Sequence, residues 1–256
     1  MTQLSQFAYV QTRLQARYGE LPDSTAWRRL ETITALSHLL QTARTAGLRP
    51  WLLNIAAHSD SHTMERSLRL QLRQHIAEVA HWLPAPWRPA VAWCGVLPDL
   101  PALQHLLSGA SVPPWLRDDE RLKPYGHDLP ALRLPALSDS PYAPLLNGGN
   151  GTVNMATAWG THWRRLWPAE ASAAERSALE GLATLLDSHY AALRADISPD
   201  SVRARDRLEQ HLRQGFRRHP RQSAAAFYYL ALTGLSLERL RGLLARLMLF
   251  PLERAS

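Results

Sequence analysis

SDSHTMERSLRLQLRQHIAEVAHWLP, residues 59–84, is the stretch that decides the fold. Leu68, Leu72, Ile76, Val79 and Leu83 return every three or four positions, the spacing that gathers side chains on one side of an α-helix, while Glu65, Arg69 and Arg73 look outward. Ser59-Asp60-Ser61 supplies oxygens for the free N–H groups of a first helical turn, and Pro84 stops the pattern. No alternation of period two is long enough anywhere in the chain to propose a sheet, so the sequence predicts an all-α protein.

Toward the N-terminus, Leu4, Phe7, Val10, Leu14 and Tyr18 form a second such stripe, ended by Gly19 and Pro22. A helix from Ser24 to Thr45 follows, with Trp27, Leu30, Ile33, Leu40 and Ala43 toward the core and Gly47 and Pro50 as stops. Trp51-Leu-Leu-Asn-Ile-Ala-Ala57 is a short helix or a buried turn.

Beyond Pro84 the chain is prolyl and irregular to about Pro144. Pro98 and Pro101 flank a short element over Leu100–Leu107, and Pro113, Pro114, Pro124, Pro135 and Pro141 argue against long regular structure. Trp87, Trp93 and Trp115 are expected to anchor these loops to the core. Asn147-Gly-Gly-Asn-Gly151 is either a boundary or an ordered turn using positive φ. Helices then resume. Ser172-Ala-Ala-Glu175 matches a capping box ahead of Leu179, Leu182, Leu186, Tyr190 and Leu193. Ser198-Pro199 restarts the chain before Leu208, Leu212 and Phe216, a stripe ended by Pro220. Residues 223–250 are apolar around much of their circumference, as a central helix would be, unless the segment breaks near Gly234. The expected organisation is an N-terminal helical lobe (1–83), a Pro/Trp-rich central segment (84–150) and a C-terminal helical lobe (151–256).

Composition narrows the function. The chain has 256 residues, 46% hydrophobic and 20% charged, with a formal charge of +7, which fits a globular protein able to bury a core. No apolar run reaches the roughly 18 residues of a membrane span. The first ten residues lack a basic start and apolar core, so no secretory signal is expected, and the single Cys94 forms no intrachain disulfide. A cytoplasmic protein is the expectation. Lys123 is the only lysine, so the excess positive charge is carried by arginine and could meet nucleic acid, an inner membrane surface or an acidic partner.

Catalytic patterns are weak. His58 and His62 with Glu65 are the best place to seek a metal, yet the intervening Ser-Asp-Ser is a cap that keeps the histidines off a common face. Asn147-Gly-Gly-Asn-Gly-Thr152 lacks the Gly-Lys-Ser/Thr end of a phosphate loop. Cys94 lies in an apolar context and no serine sits in a Gly-x-Ser-x-Gly elbow. Asp118-Asp119-Glu120, beside Arg117, Arg121 and Lys123, reads as a solvated charged loop. The expectation is a non-catalytic protein with no cofactor and no metal. Between Ser201 and Arg246 ten arginines stand against three acids. Arg203, Arg205 and Arg207 point three ways on a helix, and no aromatic platform is interleaved for single strands.

Phe7-Ala-Tyr-Val-Gln-Thr-Arg13-Leu-Gln-Ala-Arg17 resembles the N-terminal helix of the C/d-type family of stalk-to-ring coupling proteins in rotary V-type and archaeal ATPases. Glu65-Arg-Ser-Leu68-Arg69 looks like its Glu-x-x-Leu-Arg helix, and Leu103-Gln-His-Leu-Leu107 stands near the place of the next helix. Ala226-Phe-Tyr-Tyr-Leu-Ala231 with Leu237-Glu238-Arg-Leu240-Arg241 looks like the terminal helices. The chain departs from the family in being shorter, in its Pro/Trp-rich centre and in lacking the preferred asparagine near Arg239. The resemblance implies a shortened, divergent member: helical lobes arranged as a funnel, peripheral on the cytoplasmic face of the inner membrane, receiving the central stalk and passing torque to the rotor ring of an ion-transporting ATPase. It implies docking through Arg13, Arg17, Arg69, Arg73, Arg239 and Arg241, with Glu65 and Glu238 alternatively forming internal ion pairs. The second reading is a basic helical adaptor or nucleic-acid-binding protein without rotary function.

Overall fold

A computed structural model describes residues 3–146, 154–195 and 201–249. The described residues are all-helical, as expected. The candidate boundary at 147–151, the glycine-rich motif that runs on to Thr152 and the Ser198-Pro199 restart lie outside them.

The N-terminal half carries α1 (Gln3–Gly19), α2 (Ser24–Glu31), α3 (Leu36–Ala43) and α4 (Ser61–Trp82). Asp60 caps α4, its carboxylate accepting the Thr63 N–H at 2.6 Å. The single helix expected over residues 24–45 is two. Thr32-Ile33-Thr34 is a run of β-branched residues, and Thr32 Oγ1 donates to the Arg29 carbonyl at 2.9 Å, which competes with continued helix. Arg246 then donates to the freed carbonyls of Glu31 and Ile33 at 3.1 and 3.2 Å, and Ile33 turns into the core. After α3 the chain turns at Gly47, φ +82, and Trp51 and Leu52 are buried in a 3₁₀ turn.

The middle is a series of short helices: α5 (Arg88–Trp93), α6 (Leu100–Leu107), α7 (Pro114–Arg117) and α8 (Pro130–Ser138). Each begins with proline in its first two positions, where the missing N–H costs no helical bond. Pro89, Pro101, Pro114 and Pro130 thus start short helices, while Pro135 lies within α8.

The C-terminal part holds α9 (Met155–Arg165), α10 (Ala173–Ala195), α11 (Ser201–Arg218) and α12 (Ser223–Leu249). The capping box forms: Glu175 N–H donates to Ser172 Oγ and Ser172 N–H to Glu175 Oε2, both at 3.2 Å. α12 runs unbroken through Gly234.

Two buried clusters hold these elements. The larger joins Phe7, Val10 and Leu14 of α1 to Ile76 and Val79 of α4, Trp87 and Trp93, Trp163 and Trp167, Leu212 and Phe216, and Ala224–Leu232 of α12. The smaller packs Trp27, Leu30, Leu39, Trp51 and Leu68 against Leu237, Leu240, Leu244 and Leu247. α4 and α12 contribute to both. At 27 residues α12 is about 40 Å long. It therefore spans the two clusters as a spine, which explains its all-round apolar character.

Tryptophan ties the middle to the C-terminal part. Trp93 Nε1 donates to the Trp159 carbonyl and Trp159 Nε1 to the Trp93 carbonyl, each at 3.2 Å. Trp163 packs edge-on against Trp167 and Phe227, with ring centroids 4.9 and 5.2 Å apart.

Candidate functional site

The densest polar cluster lies beneath the outward side of α4. Arg73 forks onto two carboxylates: its Nε donates to Asp99 Oδ1 at 3.1 Å, its Nη2 also engages that oxygen, and it reaches Asp119 Oδ1 and Oδ2 at 3.2 and 3.1 Å. Arg69 donates from Nε and Nη2 to the Pro98 carbonyl at 3.1 and 3.0 Å and lies 4.8 Å over the Trp115 ring. Arg121 approaches Asp99 Oδ2 at 3.4 Å, where the Tyr142 hydroxyl donates at 2.8 Å. Asp119 Oδ1 also accepts the Arg121 and Leu122 N–H groups at 3.1 and 3.2 Å.

Burial decides what this cluster can do. Arg69, Asp99 and Asp119 are 6%, 0% and 4% exposed. Asp119 is thus internal, and the reading of residues 118–120 as a solvated loop is corrected at that position. Burial by itself raises the Asp119 carboxyl pKa; hydrogen bonds and charge from Arg73 reverse it and hold the group below the ordinary carboxylate range. Burial also pulls the Arg69 guanidinium down, whereas Arg73, forked on two carboxylates, sits above its ordinary value despite burial. Asp119 is thus held as a carboxylate, and both it and Asp99 are enclosed. The cluster is an electrostatic clamp that fastens the prolyl middle onto α4.

Arg133, 1% exposed, is a second internal fastening. Its Nη1 donates to the carbonyls of Leu106 and Ala110 at 2.9 and 2.6 Å and its Nε to that of His127 at 2.7 Å, satisfying acceptors around the end of α6.

The expected docking arginines divide into two groups. Arg69 and Arg73 have the internal occupation just described instead of the exposed position that docking requires. Arg239 is likewise turned inward: its Nη2 lies 2.6 Å from Glu31 Oε1, its side chain is 10% exposed, and it sits 4.9 Å over the Trp27 ring. Arg13 is exposed, lying over the Tyr9 and Trp82 rings at 5.2 and 5.5 Å. Arg17 is half-buried between Glu20 and Glu78, 3.3 Å from each. Arg241 is exposed, 3.5 Å from Glu65 and 3.4 Å from Glu238. Glu65 also lies 3.8 Å from Arg69, so the α4 and α12 motifs meet through one carboxylate.

Arg17, Glu20 and Glu78 border a cleft of about 210 Å³ with Trp51, His75 and Tyr229. His75 Nε2 and the Tyr229 hydroxyl are 2.8 Å apart. Burial lowers the His75 pKa, and burial pushes the Tyr229 phenol up to about 12. A neutral imidazole accepting the phenol proton satisfies both groups. His58 and His62 are exposed, His58 before the Asp60 cap and His62 in the first turn of α4; among the described residues no group of three His, Cys, Asp or Glu side chains could hold a metal ion. Cys94 is buried, its thiol pushed up to about 12 by burial. No described helix is long and apolar enough to cross a membrane.

Sequence reasoning found the arginines of α4 but not their partners. Asp99 follows a proline in an apolar stretch, and an acid in such a setting was the available signal. Comparison with protein-family models, curated proteins and solved structures returned no match.

Proposed function

We propose that this chain is a non-catalytic docking subunit, of the kind that couples the central stalk of a rotary V-type ATPase to its membrane rotor ring. The observation that carries the reading is the spine: α12 is buried in both clusters, and its Arg241 joins α4 through Glu65 at the two segments that resemble the family. A coupling protein must transmit load without deforming. One helix buried along about 40 Å, braced by the clamp on α4, suits that demand. Docking then falls to Arg13, Arg17 and Arg241, with the chain peripheral on the cytoplasmic face of the membrane.

Purification from the native source in mild detergent tests the reading. Ring and stalk proteins should co-purify in stoichiometric amounts. Isolation with nucleic acid that is released by salt, and without ring or stalk proteins, would instead establish the basic adaptor or nucleic-acid reading.

A further inference from the structure

The outer side of α11 carries a line of exposed positive charge. On a helix turning 100° per residue, Arg207, Gln210, Gln214, Arg217 and Arg218 fall within an arc of about 100°. All five are exposed. The acids of α11 lie on its flank: Glu209 is 2.7 Å from Arg213 and 3.9 Å from Arg239, and Asp206 is also 3.9 Å from Arg239. The line thus has no acid of its own helix within it.

The turn after α11 extends the line at a conformational cost. Arg221 is exposed and has φ +58, the only non-glycine residue at positive φ among the described residues. Its N–H is held by Gln11 Oε1 at 3.0 Å. Glycine or asparagine would adopt this conformation with less strain, so a cation stands where the backbone favours another residue.

We infer that the outer face of α11 docks an acidic α-helix of a partner protein. Arg207 to Arg218 covers about 17 Å, three turns, so carboxylates spaced three and four residues apart on a partner helix share its rise. Charge stands at both ends of the face, while Gln210 and Gln214 give it an uncharged, hydrogen-bonding centre against which a second rod can lie. Arginine forks suit carboxylates. None of its five residues is an aromatic on which bases could stack or an apolar side chain that could enter a bilayer.

This inference rests on the docking reading but is tested separately from it, because co-purification identifies the complex and the following titration identifies the face. The full chain is titrated with a fluorescent alanine-based peptide of about 20 residues carrying glutamate along one helical face. A proline-interrupted peptide of the same composition, a 20-base-pair duplex and phosphatidylserine vesicles serve as competitors. The helical peptide should bind at least tenfold tighter than the interrupted one, and more weakly as salt rises. Binding should fall at least tenfold in R207E/R217E/R218E, and in the milder R207Q/R217Q/R218Q, with thermal unfolding unchanged. It should fall less than twofold in R49E/R66E/R165E, which alters charge equally at sites elsewhere. A lysine-for-glutamate peptide should restore binding to R207E/R217E/R218E. Undetectable binding of the acidic helix, tighter binding of duplex or vesicles, or equal losses in the two charge-reversed proteins would overturn the inference, whichever complex the chain joins.

Discussion

Asp119→Ala tests whether the buried clamp holds the prolyl middle in place. The substitution removes two contacts from Arg73, one from Arg69 at 3.9 Å, and the acceptor of two backbone N–H groups. Removing one partner of a buried ion pair costs about 3–5 kcal/mol where the other charge is left unpaired; Arg73 keeps Asp99 and Arg69 keeps the Pro98 carbonyl, so the lower end of that range applies. For a chain of this size each kcal/mol moves Tm by about 2–4 °C, so a fall near 10 °C is expected. Asp128→Ala is the control: Arg117 and Asp128 are 2.8 Å apart, but their side chains are 61% and 79% exposed. Solvent screens that pair, and its loss should cost below about 1 kcal/mol. The double variant Arg73→Met/Asp119→Ala should lose less than the sum of its single variants, since both charges leave together. Circular dichroism melts and urea titrations measure all four. An Asp119→Ala shift below about 2 °C, or strict additivity in the double variant, would refute the clamp.

Gly47→Ala should destabilise by well over 1 kcal/mol, because φ is +82 and a Cβ would stand 1.9 Å from the Glu20 carbonyl oxygen, whereas Gly109→Ala, φ +80 with nothing within 4 Å, should cost only the backbone term of about 1 kcal/mol; urea midpoints separate the two. Gly215→Ala should destabilise by about 1–3 kcal/mol despite alanine's helix preference, since its Cβ would meet Tyr228 Cε1 at 2.1 Å, while Gly181→Ala, with nothing within 4 Å, should stabilise by up to about 1 kcal/mol in the same assay. His75 is held below its ordinary pKa by burial, so its unfolded form takes up a proton first: stability should be complete above about pH 6.5 and decline as pH falls toward the folded value, and His75→Gln should flatten that limb in melts between about pH 5 and 7.

Where apolar spacing and capping chemistry act within one helix, the sequence was legible. The stripes of α1 and α4, the short element at Leu100–Leu107 and the Ser172–Glu175 capping box lie where spacing and capping chemistry put them. Reading failed where an element has neighbours on two sides. Arg69 and Arg73 occupy the polar face of α4, and periodicity assigns such a face to water; here the prolyl middle covers it. Asp118, Asp119 and Glu120 are alike in sequence, and only the tertiary position of Asp119 under Arg73 distinguishes it. Arg133, in Pro-Ala-Leu-Arg-Leu-Pro, left a signal: a lone cation among apolar residues is either badly placed or fastening buried carbonyls, and it does the latter.

The positive charge of this chain therefore does two different jobs, separated by burial. Arginines on α4 and those facing α6 and α2 are spent on carboxylates and carbonyls within the fold, and this pairing offsets the solvation lost on enclosing them. What the interior consumes cannot attract a partner. Arg207, Arg217 and Arg218 are exposed, Arg217 beside the Tyr18 hydroxyl, so bringing an acidic surface to them requires little additional desolvation and exchanges solvent contacts for forked ones. α11 packs on the N-terminal half of α12 through Leu212 and Phe216, and the C-terminal half of α12 lies in the other cluster. Under the proposed role, load applied at the α11 face would enter α12 and reach the second cluster through one continuous helix. A separate, loosely tethered basic helix would bind an acidic partner equally well but would transmit nothing, so the rigid seating of α11 is what the proposed coupling role would require of the inferred docking face.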